Sequence, residues 1–273
     1  MRIWVNGRLL DHPEQPALSA LDHGVTVGDG VFETVKIVDD RAFALTRHLA
    51  RLHASAAGLG LPAPDDALVH RAIQDVMGGQ HLPMGRLRLT WTGGPAPLGS
   101  GRGGGPCTLT VVADAMSAPD TTTAVATVPW VRNDRSAVAG LKTISYAENV
   151  VALAYARERG ASEAVFANTR GELCEGTGSN IFVVMDGELL TPPLESGCLA
   201  GISRALVLEW CDARETTLSM DVLERVGEIF LASTTRDIQP VHRCDSRELD
   251  APGPITKSAI EVWRLNEAVD IDP

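Results

Sequence analysis

A chain of 273 residues, 44% hydrophobic and 22% charged, is long enough for one large or two modest domains with cores of their own. Its net charge of −11 is spread without a basic block, which argues against nucleic acid or an anionic membrane as the main partner. No apolar run follows a basic N-terminus, and no stretch approaches the ~20 apolar residues that span a bilayer, so a cytoplasmic protein without a leader is expected.

Taken from the start, Ile3-Trp4-Val5 and Arg8-Leu9-Leu10 bracket Asn6-Gly7, a strong hairpin signal. Val31 to Val38 alternates and is rich in β-branched residues, which predicts a strand turned back by Asp39-Asp40. A helix is expected from Thr46, as N-cap, to about Leu59, with Gly60 as its stop. A second helix should cover roughly 64–77, and Arg86–Trp91 and Cys107–Val112 should pair as strands. Between these strands runs a long glycine- and proline-rich loop, 93–106. Residues 116–123, small and polar, suggest a linker between a smaller α/β domain, 1–115, and a larger one, 124–273. The second half is expected to hold a strand at 124–129, a helix at 146–159 and a strand at 164–167. A hairpin about Asp186-Gly187 should follow, then a helix from Ser203 to about Cys211, a shorter one near 222–225 and a strand at 228–232.

Of 24 basic residues only Lys36, Lys142 and Lys257 are lysine. A composition that favours arginine keeps lysine where arginine cannot serve, and one such place is attack on an aldehyde by a primary amine. Lys142 reads either as a surface lysine with a packed stem or as such an amine; Leu141 and Ile144 on either side could desolvate it. In the same half, Glu175 leads into a glycine-rich loop, and Gly201-Ile202-Ser203-Arg204 opens a helix in which Ser203 reads as the N-cap, with free N–H groups that suit a phosphate. Ser233-Thr234-Thr235 follows a strand end, and Arg51 lies in the first helix as a cation able to meet the same phosphate. The five cysteines are widely spaced with no CxxC, which suggests reduced thiols, Cys174 among them as a small buried hydrophobe.

In order, Gly28-Asp29-Gly30-Val31-Phe32-Glu33, Arg47 to Ala56, Ala139-Gly140-Leu141-Lys142, Asn149, Glu163-Ala164, Cys174 to Phe182, Leu190-Thr191-Pro192-Pro193, Gly201 to Arg204, Ser233-Thr234-Thr235 and Gln239-Pro240-Val241 resemble the fold-type IV pyridoxal-phosphate-dependent enzymes, the class IV aminotransferases. The resemblance covers nearly the whole chain. It implies a two-domain α/β (α+β) fold with pyridoxal 5'-phosphate (PLP) between the domains, usually in a homodimer acting on small amine or carboxylate substrates. By the same resemblance Lys142 bonds the cofactor and shuttles protons, and Glu175 pairs with the protonated pyridine nitrogen. Arg51, Ile202, Ser203 and Thr234 hold the phosphate.

Three activities within that family are similar to what these residues allow. Branched-chain aminotransferases carry a tyrosine five residues after the lysine, where this chain has Ala147. D-amino-acid aminotransferases hold the substrate carboxylate with Arg-x-His in the 93–106 loop and carry tyrosine where Phe32 stands; the loop here has no histidine. Aminodeoxychorismate lyases have a loop ending in Arg-Gly, resembled by Gly101-Arg102-Gly103, and a threonine where Thr34 stands. The leading expectation is therefore a lyase releasing pyruvate and 4-aminobenzoate, with Arg102, Phe32, Thr34 and Thr235 at the substrate; the alternative is a transaminase of D- or branched-chain amino acids. Loss of the lysine or glutamate would favour a non-catalytic binding protein, and both are present. No metal centre is expected, since His48 and His53 are spaced i, i+5, and His48 should pack or hydrogen-bond near Arg51.

Overall fold

The computed structural model describes residues 1–273 and divides into two compact units: Met1–Ala118 with Leu141–Ser145 and Ile271–Pro273, and Pro119–Gly140 with Tyr146–Asp270. No helix is long and apolar enough to cross a membrane.

In the first unit, β1 (Arg2–Val5) and β2 (Arg8–Leu9) form the expected hairpin, with Asn6 and Gly7 at φ 45° and 95°, the left-handed pair such a turn requires. The short α1 (His23–Thr26), capped by the Asp22 carboxylate, leads into β3 (Gly30–Val38), β4 (Arg41–Ala42), α2 (Leu45–Gly58), α3 (Asp66–Met77), β5 (Met84–Thr92) and β6 (Thr108–Ala115). The six strands lie in the order β2-β1-β6-β5-β3-β4, and neighbouring strands are antiparallel. Alternation along β3 turns Val31, Val35 and Ile37 into a core with Leu49 and Leu52 of α2, Val69 and Ile73 of α3, and Leu87 and Leu89 of β5. Each such aliphatic side chain contributes about 1.5–3 kcal/mol on burial. Phe32, Thr34 and Lys36 take the opposite face of β3 by the same alternation.

The start of α2 differs from expectation. Ala44, in the left-handed region at φ 52°, is the N-cap and offers no side-chain bond. Thr46 lies inside the helix, and its N–H and hydroxyl both donate to the Asp272 carboxylate, at 2.9 and 2.5 Å. The helix takes its acceptor from the far end of the chain, so a local capping signal was the wrong place to look.

The second unit contains β7 (Thr123–Arg132), α4 (Ala147–Glu158), β8 (Glu163–Asn168), β9 (Leu173–Gly176), β10 (Asn180–Met185), β11 (Glu188–Thr191), α5 (Ile202–Trp210), β12 (Ala213–Glu215), β13 (Glu228–Ser233), β14 (Asp237–Cys244), β15 (Arg247–Glu248) and α6 (Pro254–Val269). Its sheet runs β12-β11-β10-β13-β14-β7-β8-β9, with β15 on β14. Parallel β7 and β8 are joined across α4, as parallel strands require a crossover. Two cores result. One centres on Val125, Val165, Ile181, Leu190 and Leu231, and the other on the small residues Ala126, Ala152, Ala156 and Ala164 with Phe166.

Beyond the short α1, β9, β12 and β15, two longer elements lie outside the sequence reading. β14 was obscured by Pro240, which pairs opposite Phe230 within the strand, a position proline usually disfavours. α6 had a legible signal, Pro254 at its first turn with Thr256, Ala259 and Trp263 buried at helical spacing. The helix expected near 222–225 is a 3₁₀ segment, Met220–Glu224.

Candidate active site

Lys142 belongs to the first unit, not to the second domain where its place in the sequence suggested. The reason is a strap, Leu141–Ser145, laid against β3. Phe32 N–H donates to Lys142 O at 3.0 Å, and Ile144 N–H to Gly30 O at 2.9 Å. Lys142 N–H also donates to Ser55 Oγ of α2 at 3.2 Å. Two glycines make room for it. A Cβ on Gly58 would come within 2.6 Å of a Leu141 methyl, and one on Gly30 within 2.9 Å of Ile144 Cδ1. The lysine amine thereby rests 4.5 Å from the centre of the Phe32 ring, and the guanidinium of Arg88 lies 3.6 Å from the same centre. Arg88 stands opposite Thr34 across the β3–β5 pair and is half-buried. Both side chains therefore contact the same aromatic ring. Phe32 and Thr34 are part of that face; Arg88 was missed in the sequence, where its alternation with Arg86 read only as strand.

On the other side of β3, Glu33 is fully buried. Arg51 holds it bidentately, Nε to Oε1 and Nη2 to Oε2, each at 2.8 Å, and His48 Nδ1 lies 2.7 Å from Oε2. Burial opposes the Glu33 charge, but the Arg51 cation and its bonds, with His48, more than reverse this and hold the carboxyl at about 2. Burial holds the His48 ring below its ordinary value despite Glu33, with the positive charges of Arg51 and Lys142 adding to the effect. The expected neighbourhood of His48 and Arg51 is present, with Glu33 as the partner the sequence left unnamed.

Arg102 reaches from the 93–106 loop to Asp29, with Nε to Oδ2 at 2.7 Å and Nη2 to Oδ1 at 2.6 Å. It also donates to the carbonyls of Gly60 and Leu59, at 2.6 and 2.8 Å. Four hydrogen bonds to protein acceptors fasten this loop, and the Arg102 bond holds the Asp29 carboxyl below its usual value.

In the second unit Glu175 sits on β9. Leu199 N–H donates to its Oε2 at 2.9 Å, and Arg132 Nε lies 3.2 Å from Oε1. Arg132, unnoticed in the sequence, also stacks 4.3 Å over the Phe166 ring and pairs with Glu148 at 2.6 Å. The N-cap of α5 is Gly201, not Ser203, which lies one residue inside the helix and is buried. A side chain at Gly201 would collide with the Asn180 amide, so the chain enters the helix only through glycine. No side chain caps α5. Its first N–H groups therefore point outward with the helix dipole behind them, beside Ile202 and Ser203. Thr234 and Thr235 occupy the turn between β13 and β14.

Residues 30–244 match the amino-transferase class IV family. The chain belongs to it. This class IV aminotransferase is 30% identical over 283 residues to the bifunctional aminodeoxychorismate lyase / D-amino acid transaminase of Mycobacterium tuberculosis, with 91% of this chain and 93% of the relative covered. A branched-chain aminotransferase from Thermoproteus uzoniensis, solved with norvaline, superposes with a TM-score of 0.89 at 28% identity, covering 97% of this chain and 93% of that one. A hypothetical aminotransferase from Mycobacterium tuberculosis in PLP-bound form superposes with a TM-score of 0.87 at 28% identity, over the full length of both chains.

PLP is the cofactor of the family, and the donor set fits it. A primary amine stands over an aromatic ring in the first unit. In the second, a carboxylate and a helix start without a side-chain cap suit a pyridinium nitrogen and a phosphate.

Proposed function

We propose that this class IV aminotransferase is a transaminase of α-amino acids, and that Arg88 binds the substrate carboxylate. The observation that carries this reading is the shared ring: Lys142 Nζ at 4.5 Å and the Arg88 guanidinium at 3.6 Å from the centre of Phe32. An α-amino acid carries its carboxylate on the carbon whose proton must move, so it needs an amine and a guanidinium near each other, and both contact the Phe32 ring. PLP, when bound, supplies an electron-poor ring that stabilises negative charge at the α-carbon. Lys142 is the amine that bonds the cofactor and takes and returns the α proton. Arg88 fixes which substrate bond faces it. Glu175, held by Leu199 N–H and Arg132, keeps the pyridine nitrogen protonated. Ile202, Ser203 and Thr234 hold the phosphate through hydroxyls and backbone N–H groups. Arg51, whose guanidinium Glu33 fixes, is retained in this reading as a phosphate-binding cation.

The lyase remains the second reading, supported by the Gly101-Arg102-Gly103 loop and by the bifunctional mycobacterial relative. It is weakened by Arg102, whose guanidinium already serves Asp29, Leu59 and Gly60. The reading includes a homodimer, in keeping with the exposed Val150 and Val151 on α4, and a reducing cytoplasm, in keeping with five free cysteines.

The deciding experiment mixes PLP-loaded protein with D-alanine, L-leucine or aminodeoxychorismate, with and without a 2-oxo acid. Amino transfer that needs the acceptor, and is lost with its visible absorbance band in Lys142→Ala, supports the transaminase. Pyruvate release from aminodeoxychorismate without an acceptor establishes the lyase instead. Turnover unaffected by Lys142→Ala refutes both.

A further inference from the structure

Glu163 opens β8 at 2% exposure and takes no part in the assignments above. A buried carboxylate is costly unless every oxygen is satisfied, and here both are. Oε1 accepts from the Thr177 N–H at 2.9 Å and from the Thr177 hydroxyl. Oε2 accepts from the Ser179 hydroxyl at 3.3 Å and lies 3.3 Å from Nη2 of Arg236. The chain wraps closely around this carboxylate. A Cβ on Gly176 would stand 3.1 Å from Glu163 Cγ and 2.6 Å from Ser179 Oγ, so glycine is the residue that permits the turn.

The two groups gathered on Glu163 come from different limbs of the second unit. Residues 177–179 form the loop that leaves β9, whose last two residues are Glu175 and Gly176. Arg236 ends the turn that carries Thr234 and Thr235, and its Nη1 donates to Gln239 Oε1 of β14 at 2.7 Å. Gln239 donates in turn to Asp120 O at 2.7 Å, so the arginine is fixed from behind.

We propose that Glu163 and Arg236 are positioning residues that lock the Glu175 loop and the Thr234 turn in register, so that affinity for the cofactor phosphate depends on an ion pair outside the cofactor's own contacts. The inference rests on the reading that Glu175 serves the pyridine nitrogen and that Ser203 and Thr234 serve the phosphate. Arg236 steadies the phosphate limb alone, whereas Glu163 steadies both.

Apoprotein is titrated with PLP and with pyridoxal, which lacks the phosphate, and the dissociation constants are compared. Arg236→Met weakens PLP by about 10- to 100-fold, the range typical of outer supports around a bound group, and moves pyridoxal by less than about threefold. Glu163→Gln weakens both ligands. Variants that bind PLP like the wild type and only melt earlier would overturn the proposal, as would an equal loss of PLP and pyridoxal in Arg236→Met. If Arg236→Met does not fold, Arg236→Gln must show the same selective loss, and its absence is equally fatal. Ser203→Ala separates the two levels of the inference. If it keeps the full preference for PLP over pyridoxal, the phosphate assignment fails and the brace with it. If it loses that preference while Arg236→Met keeps it, the assignment stands and only the brace is refuted.

Discussion

Replacing Glu33 by glutamine keeps the shape of the side chain and removes the charge that Arg51 clasps. A carboxyl held at about 2, against 4.5 in the unfolded chain, is stabilised by roughly 3 kcal/mol, at about 1.36 kcal/mol for each pH unit. Glu33 is fully buried, so solvent screening takes little from this figure. Breaking a buried pair from one side typically costs about 3–5 kcal/mol, which agrees. The sign follows from the depressed value. The stabilisation is complete above the unfolded value of 4.5 and drains as the pH falls toward about 2. Urea unfolding of both proteins from pH 6 to pH 3 checks this. Wild type should exceed Glu33→Gln by about 3 kcal/mol or more at pH 6, and the gap should narrow by about 2 kcal/mol at pH 3. Parallel curves across that window would mean that Glu33 is not the charged partner of Arg51, and the electrostatic account of this helix–strand contact would fall.

Three further outcomes are expected. Arg88→Met should raise KM for the amino acid about 10- to 100-fold, the worth of a charge-assisted bond of about 1.5–3 kcal/mol, while PLP titrations show affinity little changed. Arg102→Met should lower urea stability by no more than about 1 kcal/mol, since the group is 36% exposed, yet speed proteolytic cutting within 93–106, as mass spectrometry of the fragments would show. Gly94→Ala should destabilise the first unit by more than about 1 kcal/mol in thermal unfolding, because Gly94 sits at φ 72° and a Cβ would collide with the Pro106 carbonyl.

Most of the helices and strands were legible because their signals are local. Asn6-Gly7 dictates its turn, β3 alternates, and three lysines among 24 basic residues draw notice. The misses share a cause, which is partners far apart in sequence. Thr46 bonds Asp272, Glu33 bonds Arg51, and Arg102 bonds Asp29, at separations no periodicity encodes. Ser203 was misread as a cap because the collision that demands glycine at 201 comes from Asn180. Arg88 was invisible as a site residue until register placed it opposite Thr34.

The strap bearing Lys142 has a consequence for recombination. The backbone passes between the two units at 118–119, 140–141, 145–146 and 270–271. A hybrid gene with a single crossover near 118 therefore takes Lys142 and its strap from one parent and the strand they hydrogen-bond from the other. The fit of Leu141 over Gly58, and of Ile144 over Gly30, would then join sequences never selected together. Functional chimeras should accordingly be those that inherit 141–145 with the N-terminal parent, so this five-residue insert, more than the linker, sets where such genes can be exchanged.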